Sequence, residues 1–415
     1  MLRLSPSLFL EERYLNRHGL ISGATGSGKS VTLMRLAEEC DKADIPVIMT
    51  DVKGDLSTML ETNGGENRYR RVFTKSNAPK PWRVTPSSLE ARTVARMISA
   101  NATMTNALES VFEEWHAIPS LETLISLVER DDKIPTATRG AIMRRLKALG
   151  QKTTVIGQDE SHWIPSVIRE GVTVLECTEL YEEPRAYGGV MTYILERLFR
   201  ELPECGDLDK PRLMVIIDEA HLLFNGLPVE LFEGVERCVR LLRSRGVAVW
   251  FATQNPQDID APIAAQLATR IVHGMRIGNA DAARKLARDL PRMADHSNIE
   301  PRDILSLAPG EAFATTLDRR GSMTPSVRTT IFKPQCPLDR PQAIPVGVPR
   351  PTPAPYVLPR PRPAYGMYGG GAIGLAAGWL VAAGDGPAVH VAVCVLTVFV
   401  GVLLGGLIDS LACRK

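Results

Sequence analysis

The segment GATGSGKS, residues 23–30, sets three glycines ahead of a lysine and a hydroxyl. This is the G-x-x-x-x-G-K-[ST] spacing, in which small residues let backbone N–H groups crowd around an anion while the lysine adds a fixed positive charge. On that reading Gly23, Thr25, Gly26, Ser27, Gly28, Lys29 and Ser30 bind ATP. Lys29 lies on the β- and γ-phosphates, and the Ser30 hydroxyl holds Mg²⁺. The flanks agree, because a strand-like GLIS precedes the loop and the amphipathic KSVTLMRLAEEC follows it as a helix.

Such a site needs an acidic strand end nearby, and RLMVIIDEAHLLF supplies one. Five apolar residues bring Asp218 to the tip of a buried strand, where a carboxylate completes the Mg²⁺ shell. Glu219 beside it can orient and polarise an attacking water, a role that a simple nucleotide-binding switch does not need. His221 reads as a local packing or capping residue, and the letters DEAH alone do not make a DEAH-box enzyme.

The next strand, GVAVWFATQNP, delivers Gln254 to the same sheet edge, either to contact the γ-phosphate or the lytic water or to cap the strand. Just upstream, RLLRSRG offers Arg243 and Arg245, either as an exposed helix end or as a guanidinium lent to a neighbouring subunit's phosphoryl transfer. DVKGDLS puts Asp51, Lys53 and Asp55 at another strand end, where spacing alone defines no role.

The elements that position these groups are legible in the pattern. GLISG, IPVIMTDVKG, GVTVLEC, RLMVIIDEA, GVAVWFATQ, RIVHGMRI and EAFATTLD read as strands separated by helix-length segments. Strands this apolar predict a mostly parallel sheet covered on both faces, an α/β fold. Between about residues 86 and 166 the pattern is helix only, an insertion within a domain spanning 1–333. Residues 334–364 form a linker, with eleven prolines between 334 and 363, that reads as an extended tether. Residues 365–412 then carry almost no charge, and the stretch 388–408 matches the roughly 20 residues that span a bilayer. Arg360 and Arg362 before it and Arg414 and Lys415 after it predict a transmembrane hairpin with both ends in the cytoplasm, with a buried oligomerisation tail as the other option.

Forty-nine basic and 47 acidic side chains give a formal charge of +2, so contact with nucleic acid or anionic lipid has to come from a local patch. Two basic clusters are candidates for DNA or simply solvated faces: Arg68, Arg70, Arg71 and Lys75, and Arg139, Arg144, Arg145, Lys147 and Lys152. The seven cysteines are scattered without a C-x-x-C pair, which predicts a reduced compartment and no structural zinc. The apolar run near Met1 is too short for a signal peptide, so the main body is expected in the cytoplasm.

NRHGLISGATGSGKSVTLMRLAEEC, PVIMTDVKGDLS, VIIDEAHLLFN, RLLRSRGVAVWFATQNPQDI and LAPGEAFATTLDRRGSMTPSV together resemble the HerA-like bacterial ATPases of the HerA/FtsK superfamily, in register over residues 15–333. The resemblance implies a RecA-like P-loop NTPase core, a homo-oligomer, a hexamer by family habit, and kinship to motors that travel along double-stranded DNA, some with a nuclease partner. It carries Lys29 and Ser30 onto the phosphate loop, Asp218 and Glu219 onto the acidic strand end, Gln254 onto the sensor and Arg243, rather than Arg245, onto the arginine before the sensor strand. The roughly 20 residues before the loop are too few for the small N-terminal β-barrel of HerA proper, and the tether and hairpin are additions to the family pattern. The expectation is an inner-membrane ATPase with its catalytic domain in the cytoplasm, translocating DNA. The alternatives are a secretion- or conjugation-type ATPase and a nucleotide-controlled assembly switch.

Overall fold

The β-branched runs fold as the edges and centre of one sheet in the computed structural model, which describes residues 1–57, 69–73, 82–157, 171–224, 229–276, 278 and 280–335. The strands are β1 (Leu2–Arg3), β2 (Phe9–Leu10), β3 (Gly19–Ser22), β4 (Val47–Asp51), β5 (Tyr69–Phe73), β6 (Val172–Glu176), β7 (Leu213–Ile217), β8 (Val247–Thr253), β9 (Thr269–His273), β10 (Glu311–Thr315) and β11 (Val327–Thr330). β1 and β2 pair with each other, and the other nine form one sheet in the order β11-β10-β9-β3-β8-β7-β4-β6-β5. From β9 to β5 every pairing is parallel. β10 runs antiparallel to both β9 and β11, an edge that the repeating strand-and-helix pattern did not announce.

The helices are α1 (Lys29–Lys42), α2 (Ala91–Met97), α3 (Ala102–Glu114), α4 (Leu121–Arg130), α5 (Thr136–Lys152), α6 (Pro184–Glu201), α7 (His221–Phe224), α8 (Val229–Leu242), α9 (Ala261–Ala264), α10 (Ala280–Asp289) and α11 (Pro301–Leu305). Alternate strand residues divide between two apolar layers, as the two-residue period of a strand requires. Leu213, Val215, Ile217, Val249 and Phe251 face the layer built with α2 to α6 and α8. Met214, Ile216, Trp250 and Ala252 face α1 and the N-terminal segment. A third cluster packs α10 and α11 on Val272 of β9 and Phe313 of β10.

The helical insertion is present as α2 to α5, closed by a bridge between Val84 and Ile156; residues 158–166 lie outside the described residues. It docks on α6 at Gly188 and Gly189, where an added Cβ would lie 2.3 Å from Arg96 Nη2 and 2.7 Å from Met97 Cγ. Buried Arg96 crosses that seam, donating to Thr192 Oγ1 at 3.2 Å and to the Leu223 carbonyl at 2.5 Å. Helix α7, which follows the acidic strand end, is thereby tied to the insertion.

The proline-rich linker beyond Gln335 and the 365–412 hairpin lie outside the described residues. Among the described residues no helix is long and apolar enough to cross a membrane.

Candidate active site

The glycine loop is held from three sides. Gly23 N donates to the Thr253 carbonyl at the end of β8, Ala24 N to the Gly274 carbonyl after β9, and Gly310 N to the Ser27 carbonyl. Gly28, the N-cap of α1, has φ +118°, and a Cβ there would stand 3.0 Å from the Gly310 Cα and N. Only glycine suits both demands. Lys29 is buried, with Nζ donating to the Gly23 carbonyl at 2.6 Å and the Ala24 carbonyl at 3.2 Å. Burial lowers its pKa, opposed by the nearby Glu219 and Asp218 carboxylates. Ser27 Oγ is buried without a hydrogen-bond partner, and Ser30 sits half-buried at the second position of α1. Below the loop, His273 Nε2 lies 2.7 Å from Thr32 Oγ1 and its Nδ1 2.9 Å from the Glu311 carbonyl, which pins α1 to β9 and β10.

Asp218 and Glu219 follow β7 directly and both are buried. The backbone of Asp218 is fixed by a closed polar ring: its N–H donates to Thr50 Oγ1 at 2.9 Å, and the Tyr187 hydroxyl donates to its carbonyl at 2.8 Å. With the Tyr187 proton committed there, the Thr50 hydroxyl donates to Tyr187 across 2.9 Å. Glu219, at φ +46°, turns the chain so that its side chain meets the other strand ends. Its Oε1 accepts from Gln254 Nε2 at 2.8 Å and from Lys53 Nζ, while Oε2 lies 3.2 Å from His221 Nδ1 outside hydrogen-bonding geometry. His221 therefore faces Glu219 and does not pack away from the site. Gln254 Oε1 accepts from Thr25 Oγ1 at 2.7 Å, which brings the phosphate loop into the same chain of contacts.

The two acids are pushed in opposite directions. Burial, with help from the neighbouring Glu219 charge, raises Asp218 to about 7. Burial would raise Glu219 as well, but His221, Lys53 and Gln254 around it hold its carboxyl down at about 2. Burial lowers Lys53, but Glu219, Asp218 and Tyr181 together outweigh it, so its pKa is raised. Asp51 aims Lys53: its Oδ1 accepts from Gly54 N at 2.7 Å, and its Oδ2 from Ser57 N at 2.8 Å and Ser57 Oγ at 2.7 Å. Lys53, Thr50 and Tyr187 are the site residues to which sequence reasoning gave no role; the DVKG run at a strand end was their one visible signal.

Arg243 stands apart. It precedes β8, whereas Gln254 follows it, so the strand holds them at opposite sheet edges, about 20 Å apart at about 3.3 Å per residue. Its side chain makes no hydrogen bond or ion pair among the described residues, and its neighbours by charge are Arg17 and Asp207. Arg245 is a structural residue: it donates to the Leu202 carbonyl and lies 4.6 Å over the Phe199 ring. Of the basic clusters, Arg139, Arg145 and Lys152 are bound to carbonyls or carboxylates of their own surroundings. Arg144 and Lys147 stay on the open face of α5. Arg68 and Lys75 lie outside the described residues, as do the side chains of Arg70 and Arg71 on β5.

A glycine loop between a central parallel strand and a helix, with paired acids at the end of the next strand but one, defines the P-loop class of α/β proteins. Residues 4–75 and 125–342 match the family described as helicase HerA-like, C-terminal, and the chain belongs to that family. The DNA import protein CedB of Sulfolobus acidocaldarius is 26% identical over 261 residues. That match covers 60% of this chain and 42% of the relative, so the chain spans less than half the relative's length. The fold is similar to that of the bacterial conjugative coupling protein TrwBdeltaN70 in complex with sulphate (TM-score 0.62, 14% identity, 82% of this chain and 90% of that one). VirB4 of Thermoanaerobacter pseudethanolicus is also similar (TM-score 0.56, 16% identity, 76% and 89%), as is plasmid coupling protein TrwB in complex with ADP and Mg²⁺ (TM-score 0.58, 14% identity, 79% and 87%).

Proposed function

We propose that the chain is a Mg²⁺-dependent ATPase motor of the HerA/FtsK type that works as a ring, a hexamer by family habit, and translocates double-stranded DNA. One observation carries this reading: Gln254 bridges Thr25 of the phosphate loop to Glu219, so the loop, the sensor strand and the acid form one hydrogen-bonded unit. A group that merely capped β8 would not join the two.

The residues fit the nucleotide and its metal. The loop is open at Gly26, where an added Cβ would meet nothing within 4 Å, the buried Ser27 hydroxyl has no protein partner, and Asp218 is a carboxyl whose burial favours pairing with a cation. Lys29 would leave the loop carbonyls for the β- and γ-phosphates, and the loop N–H groups would hold the phosphate oxygens. Ser30 and Asp218 would hold Mg²⁺, whose chemistry is to neutralise charge developing on the phosphates. Glu219 would orient the attacking water and accept its proton, with Gln254 positioning that carboxylate. Arg243, too distant from its own loop, would serve the site of a neighbouring subunit.

DNA as the polymer is supported by family membership and by the relatives described as a DNA import protein and as plasmid or conjugative coupling proteins. Those relatives also favour a second version of the reading, in which the chain moves its substrate across a membrane. Attachment to the inner membrane through residues 365–412 belongs to this proposal and rests on their uncharged composition. The test is steady-state ATP hydrolysis with and without linear double-stranded DNA, with Glu219→Gln as the blank. Severalfold stimulation that grows with DNA length supports translocation. Turnover indifferent to DNA moves the reading to a protein-secreting ATPase, and binding without turnover to an assembly switch.

A further inference from the structure

A charged cavity of about 880 Å³ lies between α10, the segment entering α11 and the turn Pro256–Asp258, which follows Gln254 at the end of β8. Helix α10 has two faces. Ala283 and Leu286 are buried against β9 and β10, while Arg284, Lys285 and Arg288 line the cavity together with Arg292. Asp281 and Glu300 are the acids of the lining, so four cations meet two anions in a chain that is nearly neutral overall. Asp281 pairs with Arg284 at 2.9 Å, both largely exposed, a contact that holds little free energy. Lys285, Arg288 and Arg292 have no ion pair among the described residues.

We propose that this groove binds the phosphate backbone of duplex DNA, a contact that rests on the DNA-motor reading and gives that motor its grip. From Arg284 to Arg288 helix α10 advances about 6 Å at about 1.5 Å per residue, and Leu290 and Pro291 carry Arg292 past its end at Asp289, so the cations span more than one phosphate of a strand at about 3.4 Å each. A groove of that length suits a polymer better than a single phosphate group. No aromatic side chain lines it, so bases have no platform on which to stack, and the contact is to backbone and indifferent to sequence. Gln257 ties the groove to the nucleotide: it lines the cavity three residues after Gln254, and its N–H donates to Asn255 Oδ1 at 3.4 Å within the same turn. A shift of Gln254 between Thr25 and Glu219 therefore moves one wall of the groove, which couples grip to the state of the phosphate loop.

The experiment measures binding of a fluorescent 30-base-pair duplex to the full chain across a KCl series, comparing wild type, the double variant Lys285→Ala/Arg288→Ala and the control Arg130→Ala/Lys133→Ala on the helical insertion. All four positions are on the surface, and a melting curve checks each fold. The expected result is at least a tenfold loss of affinity in the groove variant at low salt. The slope of log K against log[KCl] should fall by about two, since each phosphate contact contributes about 0.9. The control should stay within twofold of wild type, and basal ATP turnover without DNA should be unchanged in both. Equal affinity and slope in wild type and groove variant overturn the groove while leaving the DNA motor standing. Wild-type protein that binds no duplex overturns both. Unchanged DNA affinity with lost basal turnover overturns the proposal in favour of a contact to a neighbouring subunit's nucleotide.

Discussion

Lys53 Nζ rests on Oε1 of Glu219, the same oxygen that accepts from Gln254, inside a carboxylate with no solvent exposure. The lysine keeps Glu219 ionised, and it also occupies an oxygen that a base would use to draw a proton from water. On this geometry the lysine would act as a restraint on the proposed base, withdrawn if the Asp51 turn that holds it moved. Lys53→Met is accordingly expected to raise DNA-independent turnover about threefold and to bring the ratio of DNA-stimulated to basal rate close to one. Steady-state rates of the variant with and without duplex check this; a basal rate that collapses instead would make Lys53 part of the chemistry itself.

Arg243 and Arg245 are two residues apart and have opposite predicted behaviour. Removing Arg245 deletes its bond to the Leu202 carbonyl and its stacking on Phe199, so Arg245→Ala should lose about 1–2 kcal/mol of stability. Arg243→Ala should leave stability unchanged and reduce turnover about 10³-fold, the scale of a lost arginine in phosphoryl transfer. Because Arg243 is remote from its own phosphate loop, mixing Arg243→Ala subunits with Glu219→Gln subunits should restore activity that neither has alone. Mixed rings as inactive as the separate variants would rule out a role across the subunit boundary.

How much of this site was legible depended on whether its parts are joined by spacing or by topology. The phosphate loop, Asp218, Glu219 and Gln254 could be read because each sits at a fixed offset from a strand end. Lys53 could not be assigned, since its partner is 166 residues away and they meet only because β4 lies beside β7. The Thr50, Tyr187 and Asp218 ring is hidden for the same reason, with contributions from β4, α6 and the end of β7. The apolar central strands announced themselves, whereas β11 is a four-residue edge strand with one buried position, and β5, with two arginines at its centre, lacks their apolar run. The antiparallel turn of β10 depends on pairing with β9, which composition does not encode.

The glycines of the loop are not equivalent. At Gly28 an alanine would meet the Gly310 backbone at 3.0 Å and would also hold φ +118°, so both loop closure and the start of α1 suffer. At Gly26, with φ +79°, an added Cβ meets nothing within 4 Å. Gly28→Ala should therefore weaken binding of a fluorescent ATP analogue at least tenfold and Gly26→Ala by a smaller factor. A left-handed alanine costs about 1–2 kcal/mol, so both variants should remain folded by circular dichroism. Equal losses at the two positions would show that backbone strain alone, and not the contact with Gly310, sets the effect.

Two buried histidines give the fold a pH limit on the acid side. Burial lowers His18 and His273 to about 4 each, helped by Arg243 and Arg17 near the first and Lys29 near the second. Both are neutral in the native state at pH 6, while the unfolded chain has a histidine pKa near 6.5 and binds protons there. At these two sites the unfolded state holds more protons than the native state between pH 6.5 and 4, so their share of stability falls as pH falls through that window, against an opposite share from Asp218 and Glu196, whose carboxyls burial raises to about 7. For the pair the loss amounts to about 4 kcal/mol between pH 7 and 5. His273→Gln, which can still bridge Thr32 and the Glu311 carbonyl, should remove about half of the histidine contribution to the slope of apparent Tm against pH in that range, read as the difference between the variant and wild-type curves. A slope unchanged by the substitution would mean that His273 takes up its proton within the fold, at no cost to the packing of α1 on β9.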